Sequence, residues 1–141
     1  RGLGDVYKRQ FLFLPDRSII AIGRRGSETA QLLLSEPPYT EWARSDLGRY
    51  IGGPLITRWG ERILVGGRKN LGGGPKTSLC WLIDGELHEF AELPSGGDCS
   101  YPGFIATSPT RAIVSWYSSH EKDEKGQTMT AIYMADLEIE D

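Results

Sequence analysis

The chain is poor in the residues that build metal and nucleophilic centres. It has two cysteines, two histidines and two methionines. Cys80 and Cys99 lack the paired spacing of a zinc site, and His88 and His120 lie far apart, so no metal and no cofactor are expected. No apolar run approaches the roughly 20 residues that span a bilayer, which excludes a membrane-spanning helix. Positive charge is not in excess. The formal net charge is −3, and no basic cluster offers the electrostatic footprint of a nucleic-acid binder. The Gly-rich stretch 66–77 ends in Lys-Thr, but it departs from phosphate-loop spacing and leads into an apolar run.

What the chain has in quantity is punctuation. Eighteen Gly and eight Pro, with 39% hydrophobic and 25% charged residues, describe a folded chain of many short strands and tight turns. The N-terminus stands apart. D-V-Y-K-R-Q (5–10) resembles the in-frame translation of a transposase mosaic-end adapter, so residues 1–10 are expected to be foreign to the domain. Without Arg1, Asp5, Lys8 and Arg9, 13 basic residues face 18 acidic ones. The natural chain is then expected to begin further upstream, where a secretion signal would lie, so compartment stays open. Cys80, in S-L-C-W-L-I, reads as a small core residue, and a bond to Cys99 stays open.

A repeat orders the rest. Displaced by 44 residues, Phe11–Arg24 falls on Leu55–Arg68, with strand, short turn, strand and terminal Gly-Arg coinciding. A further 49 lays the second frame on Phe104–Tyr117. Periods in the forties with four strands each are the signature of propeller blades. The pattern predicts strands at 11–14, 18–23, 29–34 and 42–45, then 51–58, 62–67, 78–83 and 87–93, then 101–107, 112–117 and 130–139. Asp84-Gly85 marks a hairpin. The fold class expected is all-β: a partial β-propeller of three antiparallel blades (11–49, 50–97 and 98–141) from a six-bladed parent. The last blade lacks its outer strand, leaving an unpaired edge near 129–137.

Starts of first strands and ends of second strands should share one rim, where polar side chains around a channel make a ligand site. Arg24, Arg68, Asp98, Tyr101, Tyr117, Ser119 and His120 fall there. Pro102 is expected to hold Tyr101 extended.

Two motif groups carry a resemblance. S-E-P-P-Y-T-E-W (35–42) has the Ser and Trp of the sialidase Asp-box but neither its Asp nor its Gly. S-G-G-D-C-S-Y-P-G (95–103), S-W-Y-S-S-H-E (115–121) and T-A-I-Y-M-A (130–135) resemble the C-terminal blade of bacterial exo-α-sialidase-like proteins. The resemblance implies a glycoside hydrolase acting on terminal acidic sugars. Tyr101 would be the nucleophile, and Arg24 and Arg68 would clamp the carboxylate. A carboxylate next to the anomeric carbon repels an Asp or Glu nucleophile, whereas a phenol does not. An Arg fork also grips a carboxylate bidentately. Asp98 is the second catalytic candidate, and Tyr117, Ser119 and His120 are further substrate contacts. The family's base and acid lie in earlier blades, so this chain alone is expected to be inactive. The alternative is a propeller that binds glycans or another partner without hydrolysis. A carbohydrate partner and a monomeric parent are expected in the first case.

Overall fold

A computed structural model describes residues 7–140. It contains eleven strands and, among the described residues, no helix. Strands β1 (Tyr7–Phe13), β2 (Ile19–Arg25), β3 (Glu28–Ser35) and β4 (Ala43–Asp46) form the first antiparallel sheet in that order. The second is β5 (Gly52–Trp59), β6 (Arg62–Lys69), β7 (Lys76–Ile83) and β8 (Glu86–Leu93). The third has three strands, β9 (Ser100–Ala106), β10 (Arg111–Lys122) and β11 (Thr128–Glu138). Every expected strand is present. Of the segment expected to be foreign, residues 1–6 lie outside the described residues, while Tyr7–Gln10 extend β1 and pair with β2 as far as Arg24.

Local chemistry explains the hairpins. Asp84 and Gly85 both take positive φ (52° and 79°), the conformation a two-residue hairpin turn requires, and Gly adopts it without steric cost. At the tip of β10 and β11 the Asp123 carboxylate accepts from the backbone N–H of Lys125 and of Gln127, both at 2.9 Å. That cap lets β10 run on to Lys122, past the expected end at Tyr117. In the turn expected to resemble an Asp-box, Ser35 Oγ donates to the Glu41 carbonyl at 2.6 Å, and Trp42 covers Ala21 and Leu33.

The three sheets stack in chain order, each turning one face to the next. Leu12, Ile20, Ile22 and Leu32 of the first sheet meet Ile56, Val65 and Leu82 of the second. From the opposite face of the second sheet, Leu55, Leu64, Leu79 and Trp81 meet Phe104, Val114, Trp116 and Ala135 of the third. Contacts between sheets run mainly through the first strands, with β5 seated between β1 and β9. A sheet covered on both sides needs apolar residues at consecutive positions, which is why β2 reads I-I-A-I without alternation. Trp59 locks the second interface. Its ring packs on Trp81 and Phe104, and its indole N–H donates to the Ser108 carbonyl at 2.9 Å.

Cys80 and Cys99 are both free and buried, and burial pushes the Cys80 thiol above its ordinary value. Leu64 is wholly buried at the interface of the second and third sheets. Leu64→Ala should therefore cost about 2–5 kcal/mol, the range for a large-to-small change in a closed core. Urea unfolding followed by tryptophan fluorescence measures it, and a loss below 1 kcal/mol would mean this interface is not closed.

Candidate functional site

The site is built where the first strands begin. Pro54 and Pro102 have no N–H to give to a ladder, and at both the pairing is broken in the same way. Gly52 pairs with Arg68 and Leu55 with Gly66, so two residues of β5 face one of β6. Likewise Ser100 pairs with Tyr117 and Gly103 with Ser115, so Tyr101 and Pro102 face Trp116 alone. These are bulges in matching places of two sheets. The residue before each proline is left-handed, Gly53 at φ 54° and Tyr101 at φ 47°.

This corrects the expectation that Pro102 keeps Tyr101 extended. The missing N–H creates a bulge instead, and the bulge turns Tyr101 outward, where its side chain is 54% exposed. A tyrosine here occupies a slot that the preceding sheet fills with glycine. Such backbone costs on the order of 1–3 kcal/mol for a side-chain-bearing residue.

The bulges also bind the sheets together. Ser100 Oγ donates toward the carbonyls of Gly52 and Gly53, at 2.5 and 3.0 Å. A Cβ on Gly53 would meet Ser100 Oγ at 2.8 Å and the Tyr101 nitrogen at 3.0 Å, and one on Gly52 would strike the Tyr50 hydroxyl and Arg68. Glycine is required there by close approach as well as by backbone conformation.

Five side chains follow one another along this rim. Arg24, Arg68 and Tyr117 hold matching positions late in the second strands, opposite Tyr7, Gly52 and Ser100. Between them stand Tyr50 and Asp98, each two residues before its ladder pair. The Arg24 and Arg68 guanidiniums lie 5.4 and 5.8 Å from the Tyr50 ring centre, within cation–π range. Arg68 Nη2 also donates to the Tyr50 hydroxyl at 2.8 Å. From its other side Arg68 Nη1 reaches Asp98 Oδ1 at 3.3 Å and the Cys99 carbonyl at 2.9 Å. Tyr117 then donates to the same Asp98 oxygen at 2.6 Å, and its ring stacks on Tyr101 at 6.0 Å between centroids.

Burial pulls Arg68 down, but its bonds to Tyr50 and the nearby phenols outweigh that and hold it above its ordinary value. Burial and then the bond to Asp98 push the Tyr117 phenol up to about 12. Tyr117 is therefore a proton donor at any physiological pH. Arg24, Ser27, Tyr50, Arg68 and Asn70 surround an open cleft of about 280 Å³, close to the small end of the ~300–1,000 Å³ typical of ligand sites. A larger hollow of about 650 Å³ at the Pro37–Pro38 turn carries Glu36 and Glu41 and no cation among its lining residues.

The structure thus brings together Arg24, Arg68, Asp98, Tyr101 and Tyr117. Ser119 joins them, donating to the Asp98 carbonyl at 2.8 Å and lying 2.7 Å from Thr130 Oγ1. His120 does not. Strand alternation turns it to the opposite face, where Nδ1 lies 2.7 Å from Ser118 Oγ and the ring meets Tyr133 at 4.9 Å. It is a structural residue of that face, a correction to its expected place beside Tyr101. Tyr50 escaped sequence reasoning, although its place two residues before Gly52 matches that of Asp98 before Ser100.

No family model matches the chain, and no curated protein matches it. Among solved structures it is similar to a protein of unknown function from Dyadobacter fermentans, with a TM-score of 0.72 at 18% identity over 94% of this chain. The likeness is one of fold. This chain spans 39% of that protein's length.

Two outcomes are expected. Tyr101→Gly should leave stability unchanged or raise it by up to ~1 kcal/mol, because relief of the left-handed strain offsets the lost contacts. A clear drop in thermal stability would contradict the strained assignment. Asp98→Asn should bring the Tyr117 phenol down from about 12 toward its ordinary value, seen by difference absorbance of the phenolate against Tyr117→Phe. The unfolded chain gives up this proton near pH 10 and the folded one near pH 12, so above pH 10 the folded state holds more protons. The stability tied to Tyr117 is thus complete below pH 10 and lost as pH rises to about 12. Asp98 is 73% exposed, so added salt should shrink the effect.

Proposed function

We propose that the chain is part of a β-propeller whose rim binds an acidic sugar, with Arg24 and Arg68 holding the carboxylate. The observation that carries this reading is the convergence of the two guanidiniums on the Tyr50 ring beside an open cleft. Tyr50 spaces the two guanidiniums, of which Arg68 also meets Asp98 at 3.3 Å and Arg24 donates to the Gly26 carbonyl at 3.1 Å, and both line the cleft that an anion would enter. The stacked pair Tyr101 and Tyr117, half exposed on the same rim, offers apolar ring surface of the kind that sugar faces pack against. The propeller reading is supported by the forty-odd-residue repeat and by three sheets stacked in chain order on adjacent first strands.

Binding is favoured over hydrolysis by the state of the acid–base groups. The Asp98 carboxylate is engaged by Tyr117 and Arg68, and the Tyr117 phenol keeps its proton. Among the described residues no hydrogen-bond partner reaches the Tyr101 hydroxyl, so nothing there takes its proton. One feature favours the hydrolase reading. Tyr101 is exposed and held in a backbone slot suited to glycine, and strain of that kind gathers at working residues. That reading needs a carboxylate base from elsewhere in a longer protein.

Calorimetric titration with sialyllactose, glucuronate and neutral lactose tests the proposal. The acidic ligands should bind and lactose should not. Arg68→Ala should weaken binding at least tenfold, equivalent to about 1.4 kcal/mol, and Arg68→Lys should restore only part of it. Equal binding of lactose, or an unchanged affinity in both arginine variants, would refute the carboxylate clamp. Turnover of a fluorogenic sialoside that vanishes in Tyr101→Phe would instead establish the hydrolase reading.

A further inference from the structure

Arg68 stands at the rim with its fork already in use. A guanidinium carries two hydrogens on each terminal nitrogen and one on Nε. Both hydrogens of Nη1 are taken, by the Cys99 carbonyl at 2.9 Å and by Asp98 Oδ1 at 3.3 Å. Nη2 gives one to the Tyr50 hydroxyl at 2.8 Å. A carboxylate that approaches end-on needs a hydrogen from each of the two terminal nitrogens. Nη2 can supply one, on the side where Arg68 lines the cleft with Arg24. Nη1 cannot while Asp98 holds its place.

The two bonds at Nη1 differ in kind. The Cys99 carbonyl belongs to a wholly buried residue and makes the shorter contact, so it stays with the fold. The Asp98 side chain is exposed, and its contact is the longer one. An exposed ion pair contributes little, because water and salt screen it. The main chain of Asp98 is fixed independently of its carboxylate. Ser119 Oγ donates to the Asp98 carbonyl at 2.8 Å, which leaves the carboxylate free to turn about its own bonds. Tyr117 donates at 2.6 Å to the same Oδ1 that Arg68 meets. One oxygen thus bridges a guanidinium and a phenol, a place that an oxygen of another carboxylate could take over.

We propose that Asp98 is a stand-in for the ligand's carboxylate: it holds Arg68 Nη1 and Tyr117 in the free chain and is displaced when an acidic sugar binds. The inference rests on the acidic-sugar reading of the cleft and adds a competitor built into it. One oxygen of the ligand carboxylate would meet Nη2 on the cleft side. The other would replace Asp98 Oδ1 between Nη1 and the Tyr117 hydroxyl. Asp98 sets a threshold in this way. Acetate, which brings a carboxylate and nothing else, gains no bond by replacing one that the chain holds at high effective concentration. A sugar acid brings ring contacts as well, and those tip the exchange.

Calorimetric titration of the full chain with sialyllactose and with glucuronate tests the proposal. The variants are Asp98→Asn, Asp98→Ala, and Asp98→Ala combined with Arg68→Ala. Asp98 is exposed, so its variants should fold, which circular dichroism checks. Asp98→Asn and Asp98→Ala should each tighten both ligands by roughly two- to fivefold, the worth of an exposed ion pair expressed as affinity. The gain should vanish when Arg68→Ala with Asp98→Ala is compared with Arg68→Ala alone. Binding seen only in the Asp98 variants supports the stand-in equally. An unchanged affinity in Asp98→Asn, or a weaker one in Asp98→Ala, would make Asp98 a prop for Arg68 and overturn the inference, with the sugar reading intact. A gain that survives the loss of Arg68 overturns it too, since relief of general repulsion then explains it. Acidic ligands that bind neither the unaltered chain nor its Asp98 variants bring down the sugar reading and the stand-in together.

Discussion

Each of the second and third sheets has to begin its first strand without a hydrogen bond, because Pro54 and Pro102 have none to give. Much of the rim depends on that one deficiency. A bulge absorbs it, and the bulge demands a left-handed residue just before the proline. It also turns the Gly52 and Gly53 carbonyls away from β6, and the Ser100 hydroxyl from the next sheet meets them. The hydroxyl is wholly buried, so the bond forms where an unpaired carbonyl would be costly. A defect in one ladder thus becomes the fastener between two. The same bulge sets Tyr101 on the rim rather than in the core.

The electrostatics of the rim follow from alternation. Two arginines at matching positions of neighbouring sheets would repel if nothing stood between them. Tyr50 does, offering a ring face to both guanidiniums and a hydroxyl to one. One sheet further on, the matching place holds Asp98, and the matching partner has become Tyr117 in place of an arginine. The rim therefore runs from two guanidiniums sharing the Tyr50 ring to a neutral, hydrogen-bonded end at Tyr117. An anionic ligand would be drawn to the first end, while a ring without charge would suit the second. A second network sets Arg49, from the connection between β4 and β5, and Lys69 of β6 on Glu89 of β8, and lowers the Glu89 carboxyl against the opposing effect of its burial. It braces the second sheet and stays out of the cleft.

Strand positions were legible in the sequence because turn residues and the repeat reinforce one another. The two-residue hairpins fell where Gly marks the turn, at Asp84-Gly85 and Gly60-Glu61. Arg24 and Arg68 were legible too, since the repeat aligns them and chain reversal carries second strands back to the same rim. Three things were not. Pro102 signals an extended neighbour in an ordinary chain, yet at the start of a strand its missing N–H matters more than its ring. His120 was misplaced by one residue of alternation, and in a strand a single residue decides the face. Tyr50 lies in a loop with no periodicity to mark it, and only the contact across sheets reveals what it does.

Apolar residues on both faces of β10 and β11 bear on how such a stack ends. The second sheet is covered on both faces and the first by the second sheet on one face and by Trp42 at the middle of the other, and continuous burial along β2 and β5 records it. In β11 the pattern is a strict alternation of half-buried and exposed positions, which in an ordinary antiparallel sheet would put polar residues outside. Here Ile132 and Met134 occupy exposed positions among Thr130, Asp136 and Glu138. Solvent gives no reason to keep two large apolar side chains there, since their hydration is unfavourable by about 25 cal/mol for each Å² left bare. Among the described residues no further sheet packs on that face. Burial along a strand therefore follows which faces other sheets cover, and β11 carries the pattern of a strand with one face covered.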